Sequence, residues 1–141
     1  MSFEFEARFF DRLLGGSDVS RRILVVGCGA GVEVEHVAQV TGNPVIGVDL
    51  VVHPGVRRPD VQLLRADARA LPIRDGAVQA VYCYHVLEHV PEPALAVAEA
   101  RRVLDPRGLA YFGTPNKSRL VGYVGGRATP REKVMWNLVD W

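Results

Sequence analysis

Gly27, Gly29 and Gly31 stand on alternate positions between an apolar run, "ILVV", and an amphipathic one, "VEVEHVAQV". Bare backbone where a strand hands over to a helix lets a ligand approach the main chain and meet the helix N-terminus. An acid, Asp49, closes the next apolar run, "PVIGVD". A carboxylate there can accept from both hydroxyls of a ribose. Together the glycines and Asp49 point to a nucleoside ligand without saying which. The dinucleotide fingerprint G-x-G-x-x-G is missed by one place, because Val32 stands where its last glycine belongs. His85, Glu88 and His89 form a further cluster of groups able to handle protons. His85 is a candidate base. Glu88 and His89 stand just before a proline-led helix, where such residues cap the helix or bridge loops. His36, His53, His85, His89 and the two cysteines have no compact ligand spacing, so no metal site is expected.

The elements that must position these groups follow from periodicity. "FEFEARFFDRLL" (3–14) has helical spacing of aromatic and leucine residues, and its Phe5, Phe9 and Phe10 are expected in the core. Five short apolar runs read as strands buried on both faces: 23–27, 44–50, 61–67, 77–85 and 108–115. Helices are expected over 31–40, stopped by Gly42, and over 91–105, opened by prolines and closed by "PRG". Pro54, Gly55 and Pro59 argue against a helix between the second and third strands. The pattern is α/β, a doubly wound, mostly parallel sheet. Such sheets bind ligands beyond the carboxyl ends of their strands. The glycine loop, Asp49, Asp67 and "YCYH" all lie at such ends.

The bulk composition excludes some classes. The chain has 141 residues, 48% hydrophobic and 23% charged, as expected of one globular domain. A net charge of +1 gives no basic field for nucleic acid, so no nucleic-acid partner is expected. Two cysteines make no disulfide framework, no run approaches a membrane span, and "MSFEFEARFF" is not a signal peptide. A cytoplasmic protein is expected.

The ordered set "GCGAG", "GVDL", "ADA", "LPIRDG", "HVLEHVPEP" and "RVLDPRG" resembles the class I S-adenosylmethionine-dependent methyltransferases. In particular it looks like the methyltransferase type 11 group, over about Arg22 to Pro115. The resemblance implies a Rossmann-like fold, S-adenosylmethionine as cofactor, S-adenosylhomocysteine as product and a small-molecule acceptor. It implies that Gly27, Cys28, Gly29 and Gly31 pass the methionine half and that Asp49 binds the ribose. Leu50 would pack on adenine, Asp67 would accept from its amino group, and the Ala68 N–H would meet a ring nitrogen. Tyr84 and His85 would line the pocket near the sulfonium.

The sequence departs from that family in two further places. Val25 stands where the family carries an acid that helps hold the cofactor's amine, leaving that task to carbonyls near Gly27 and Tyr84. After Pro115 too little chain remains for the family's C-terminal antiparallel hairpin. The segment "NKSRLVGYVGGRATPREKVMWNLVDW" (116–141) reads as a glycine-bearing loop and a helix from about Pro130. We therefore expect one domain over 1–141: an N-terminal helix (1–20), a cofactor-binding core (21–115) and this C-terminal segment. A bare strand-five edge invites a homodimer through that edge or through the C-terminal segment, or else marks a truncated chain. Two rival functions stand beside methyl transfer: an inactive methyltransferase-like partner module, and an NAD-dependent oxidoreductase.

Overall fold

The computed structural model describes residues 3–15, 21–53, 55 and 58–114. The expected loop and helix after Pro115 lie outside the described residues. Among the described residues nine elements follow one another: α1 (Phe3–Leu14), β1 (Ile23–Val26), α2 (Val32–Thr41), β2 (Val45–Asp49) and β3 (Val61–Arg65), then β4 (Val78–Tyr84), a 3-10 turn (Leu87–His89), α3 (Pro93–Val103) and β5 (Leu104–Gly113). The strands form one sheet in the order β3-β2-β1-β4-β5, every pair parallel. The chain winds outward from β1 through β2 to β3, then crosses to β4 on the other side of β1. That reversal opens a crevice at the carboxyl ends of β1 and β4.

Burial on both faces explains why the strands carry apolar runs instead of alternation. All four residues of β1 are buried. On one face α1 and α2 pack over Val25, Val45 and Tyr82, and on the other α3 packs Ala100 and Val103 over Leu24, Val26 and Val81. Phe10 is fully buried, its ring edge-on to Tyr82 at 5.2 Å, which stabilises the fold by about 2–3 kcal/mol. Phe9, expected in the core with it, is 42% exposed, because it lies one place round the helix and only edges Tyr111. The side chain of Phe5 lies outside the described residues. In α2, Val34, Val37, Ala38 and Thr41 face inward, and Gly42 ends the helix in a left-handed turn at φ 65°, its N–H donating to Ala38 O. No helix joins β2 to β3 among the described residues, in line with the prolines there.

Strand β5 starts four residues earlier than its apolar run. It follows α3 directly at Leu104, which pairs with Val78, and the ladder resumes only at Leu109 with Ala80. The "DPRG" turn is therefore an insertion within the strand, folded by the Arg107 N–H donating to Asp105 Oδ1 at 2.8 Å. The segment "LPIRDG" is a strap tied to α3. Arg102 donates to Ile73 O at 2.8 Å, Leu71 O at 3.0 Å and Asp75 Oδ1 at 2.7 Å. Glu99 accepts the Leu71 N–H at 2.7 Å and holds Arg102 at 2.7 Å. These residues position the chain between β3 and β4, the wall on which Asp67 sits.

Candidate functional site

The glycine loop is built in left-handed backbone. Gly27, Gly29 and Gly31 have φ of 81°, 45° and 86°, a region that costs a side-chain-bearing residue about 1–2 kcal/mol. A Cβ at Gly27 would also overlap a Val86 methyl. The Gly27 and Cys28 N–H groups donate to Val48 O at 2.8 and 3.1 Å, and the Gly31 N–H to Cys28 O at 2.7 Å. Asp49 completes the loop: its Oδ2 accepts the Gly29 N–H at 2.7 Å and its Oδ1 the Val51 N–H at 3.2 Å. Each oxygen keeps a lone pair for a further donor.

A cavity of about 300 Å³ opens at the switch point. Of the residues singled out by sequence, Gly27, Asp49, Leu50, Asp67, Ala68, His85 and His89 line it. The others do not. Cys28 and Gly31 are buried behind the loop, and burial together with the Asp49 charge pushes the Cys28 thiol up to about 11. Tyr84 lies against Gly113 and packs with the cluster on the α1–α2 side. Its neighbour His85 stands just past the strand in left-handed backbone, at φ 54°, and lines the cavity. Leu50 is 61% exposed on the rim, an apolar surface awaiting a partner. Among the described residues the Ala68 N–H meets no acceptor.

Arg69 was not legible as a site residue. Its guanidinium grips Asp67 from Nη2 at 2.7 Å and from Nε at 3.1 and 3.2 Å, and its own N–H donates to Asp67 Oδ1 at 2.9 Å. Those side-chain bonds, then the backbone bond, hold the Asp67 carboxyl down at about 2. Glu92 lies 3.4 Å from Arg69 Nη1 and offers it a second partner. The only available signal was the two-residue spacing of acid and arginine.

After β4 the chain turns sharply. His85 has φ 54°, its N–H donates to Gly113 O at 2.9 Å, and Nδ1 lies 3.1 Å from Glu88 Oε1. The cap of α3 falls to Glu92, which makes no side-chain cap bond, so Glu88 and His89 do not cap that helix. Glu88 is occupied by His85 instead. Behind the loop, Glu33 in the first turn of α2 carries a buried Oε1 with no hydrogen-bond partner among the described residues. Burial pushes its carboxyl up to about 7, offset in part by the Tyr82 hydroxyl. Tyr82 is paired in register with Val25, so Glu33 places a carboxyl on the face where Val25 carries none.

The sequence profile of the methyltransferase domain family matches residues 24–112, from β1 to β5. This chain belongs to that family. A protein of Mycolicibacterium smegmatis named a probable S-adenosylmethionine-dependent methyltransferase is 35% identical over 114 residues, covering 78% of this chain and 43% of its own length. The ubiquinone biosynthesis O-methyltransferase of Thiobacillus denitrificans is 35% identical over 118 residues, covering 74% of this chain and 50% of its own. The chain thus spans half or less of these relatives. In fold it is similar to a Methanococcus maripaludis protein described as an S-adenosyl-L-methionine-dependent methyltransferase. The TM-score is 0.69 at 15% identity, covering 97% of this chain and 62% of that one. Among the described residues no helix is long and apolar enough to cross a membrane.

Proposed function

We propose that the chain binds S-adenosylmethionine in the switch-point cavity and passes its methyl group to a small-molecule acceptor, releasing S-adenosylhomocysteine. One observation carries this reading. The Asp49 carboxylate, held by the glycine loop, shares a cavity with the exposed Leu50 and with Ala68, whose N–H meets no acceptor among the described residues. A ribose needs the first, an adenine face the second and an adenine ring nitrogen the third. When bound, the cofactor supplies a methyl on a cationic sulfur, so its leaving group departs neutral. The chain's own work is alignment, worth about 7–11 kcal/mol when geometry is good. The glycine loop gives the methionine half room against bare backbone, and Glu33 offers a carboxyl on the side of Val25.

The adenine amino group reaches Asp67 when Arg69 turns toward Glu92. The Thiobacillus relative's name supports an oxygen acceptor. Among the described residues β5 is an edge strand of the sheet, and a second copy of the chain would pair there. The unpaired thiols Cys28 and Cys83 fit a cytoplasmic setting. Arg69's grip on Asp67 favours one second reading, a partner module that binds no cofactor. Titration calorimetry with S-adenosylmethionine and S-adenosylhomocysteine, with NAD as control, separates them. Binding of both sulfur compounds near ~10⁻⁶ M and none of NAD is expected. Heat from neither selects the partner module.

A further inference from the structure

The imidazole of His85 is held on three sides. Its backbone is left-handed at φ 54° and tied to the end of β5 by the Gly113 carbonyl. The ring meets Tyr84 edge to face at 4.2 Å between centroids. Nδ1 meets Glu88 Oε1 at 3.1 Å. The Glu88 side chain is only 10% exposed, and its other oxygen, Oε2, is buried without a hydrogen-bond partner among the described residues. A left-handed histidine strained into place and backed by a buried carboxylate costs stability, and such strain gathers where geometry serves function. A bland pin between strand and turn would not need the residue to line the cavity with its side chain 37% exposed, as His85 does.

A carboxylate oxygen accepts hydrogen bonds, so an Nδ1 that donates to Glu88 would leave Nε2 with a bare lone pair. The other charged groups on the cavity are engaged. Arg69 is held by Asp67 and Glu92, and Asp49 by two backbone N–H groups. His89 stands on the same wall, on the 3-10 turn with Glu88. On the strand side, burial and the nearby Glu88 charge push the Cys83 thiol up to about 12, so it stays protonated.

We propose that His85 is the base of the transfer and that Glu88 is its positioning residue, which fixes the Nδ1–H tautomer. The methyl acceptor is then an O–H or N–H compound that must lose its proton. This rests on the methyltransferase reading above. In the step, the acceptor's oxygen or nitrogen bonds to the methyl carbon. The carbon–sulfur pair stays with sulfur, and the acceptor proton moves to Nε2. The resulting imidazolium lies beside the Glu88 carboxylate, which stabilises it as the orienting acid does in a catalytic triad. Such a base contributes about 10²–10⁴ in rate.

The test is long-range ¹⁵N–¹H correlation of the imidazole nitrogens in the whole chain at pH 8, with no cofactor added. The wild type is expected to show a protonated Nδ1 and a bare Nε2 at His85. In Glu88→Gln the amide can donate to Nδ1, and the tautomer preference is expected to reverse. Addition of catechol with S-adenosylhomocysteine bound is expected to move the Nε2 resonance, as hydrogen bonding to its lone pair requires. A wild-type His85 protonated at Nε2 overturns the proposal, and this reading stands even if Glu88→Gln fails to fold. An unchanged tautomer in a folded Glu88→Gln removes Glu88's role. A silent Nε2 with catechol and cofactor product present removes the O–H acceptor. Calorimetry reports cofactor binding separately, so failure there sinks the methyltransferase reading and not the tautomer.

Discussion

Replacing Asp49 by alanine is expected to weaken S-adenosylhomocysteine binding by about 100-fold, or about 3 kcal/mol. Two effects add in the same direction. The carboxylate is the acceptor for two ribose hydroxyls in the proposed complex, and charge-assisted bonds of that kind contribute about 1.5–3 kcal/mol each. It also holds the glycine loop through the Gly29 N–H at 2.7 Å, so its loss frees the backbone over which the methionine half lies. Asp49→Asn separates the two. Its amide oxygen can still take the Gly29 N–H, while the charge is gone, and an intermediate loss is expected. Calorimetric titration of the three proteins checks this. Equal affinity in Asp49→Ala and wild type would remove the ribose role.

The second large effect is on stability. Burial raises the Glu33 carboxyl from its ordinary 4.5 to about 7. The folded chain therefore holds this proton over a pH range where the unfolded chain has lost it. The sign follows from linkage: the folded state binds more protons between about 4.5 and 7, so stability falls as pH rises through that window and levels off above it. The helix N-terminus favours the ionised form by about 0.3–1 kcal/mol, too little to reverse the burial cost. The total is at most about 3 kcal/mol. Glu33→Gln is expected to be more stable than wild type at pH 8 and to lose the falling limb. Urea denaturation of both proteins from pH 4.5 to 8 measures it, and parallel curves would contradict the burial of Glu33.

Much of this was legible in the sequence because it is local. Apolar runs without alternation mark strands buried on both faces, and all five runs became strands. Glycines spaced by two needed only their place between strand and helix to be read as a loop. Asp49 ends a strand beside that loop, so its reach to Gly29 follows from the parallel pairing of β1 with β2. What stayed hidden depends on side chains meeting from distant elements. Arg102 reaches Leu71, Ile73 and Asp75 across about thirty residues of chain, and no pattern announces that. Arg69 looked like surface, because only the turn after β3 folds it back on Asp67. Glu33 has the spacing of a solvated helix face, and only the closeness of β4 buries it. The face of Tyr84 was not readable: the left-handed turn at His85, directly after β4, is invisible in the sequence pattern. The resemblance to a family implied that both Tyr84 and His85 line the cavity, and of the two only His85 does.

The central claim is that this cavity receives the adenosine of the cofactor, and amide chemical-shift mapping tests it most directly. S-adenosylhomocysteine titrated into ¹⁵N-labelled chain is expected to move the amides of Gly29, Leu50 and Ala68 together, with one midpoint. Ala68 is the most informative, because its N–H has no acceptor among the described residues and gains one on adenine. Saturable shifts confined elsewhere, with Gly29 and Ala68 unmoved, would contradict the account.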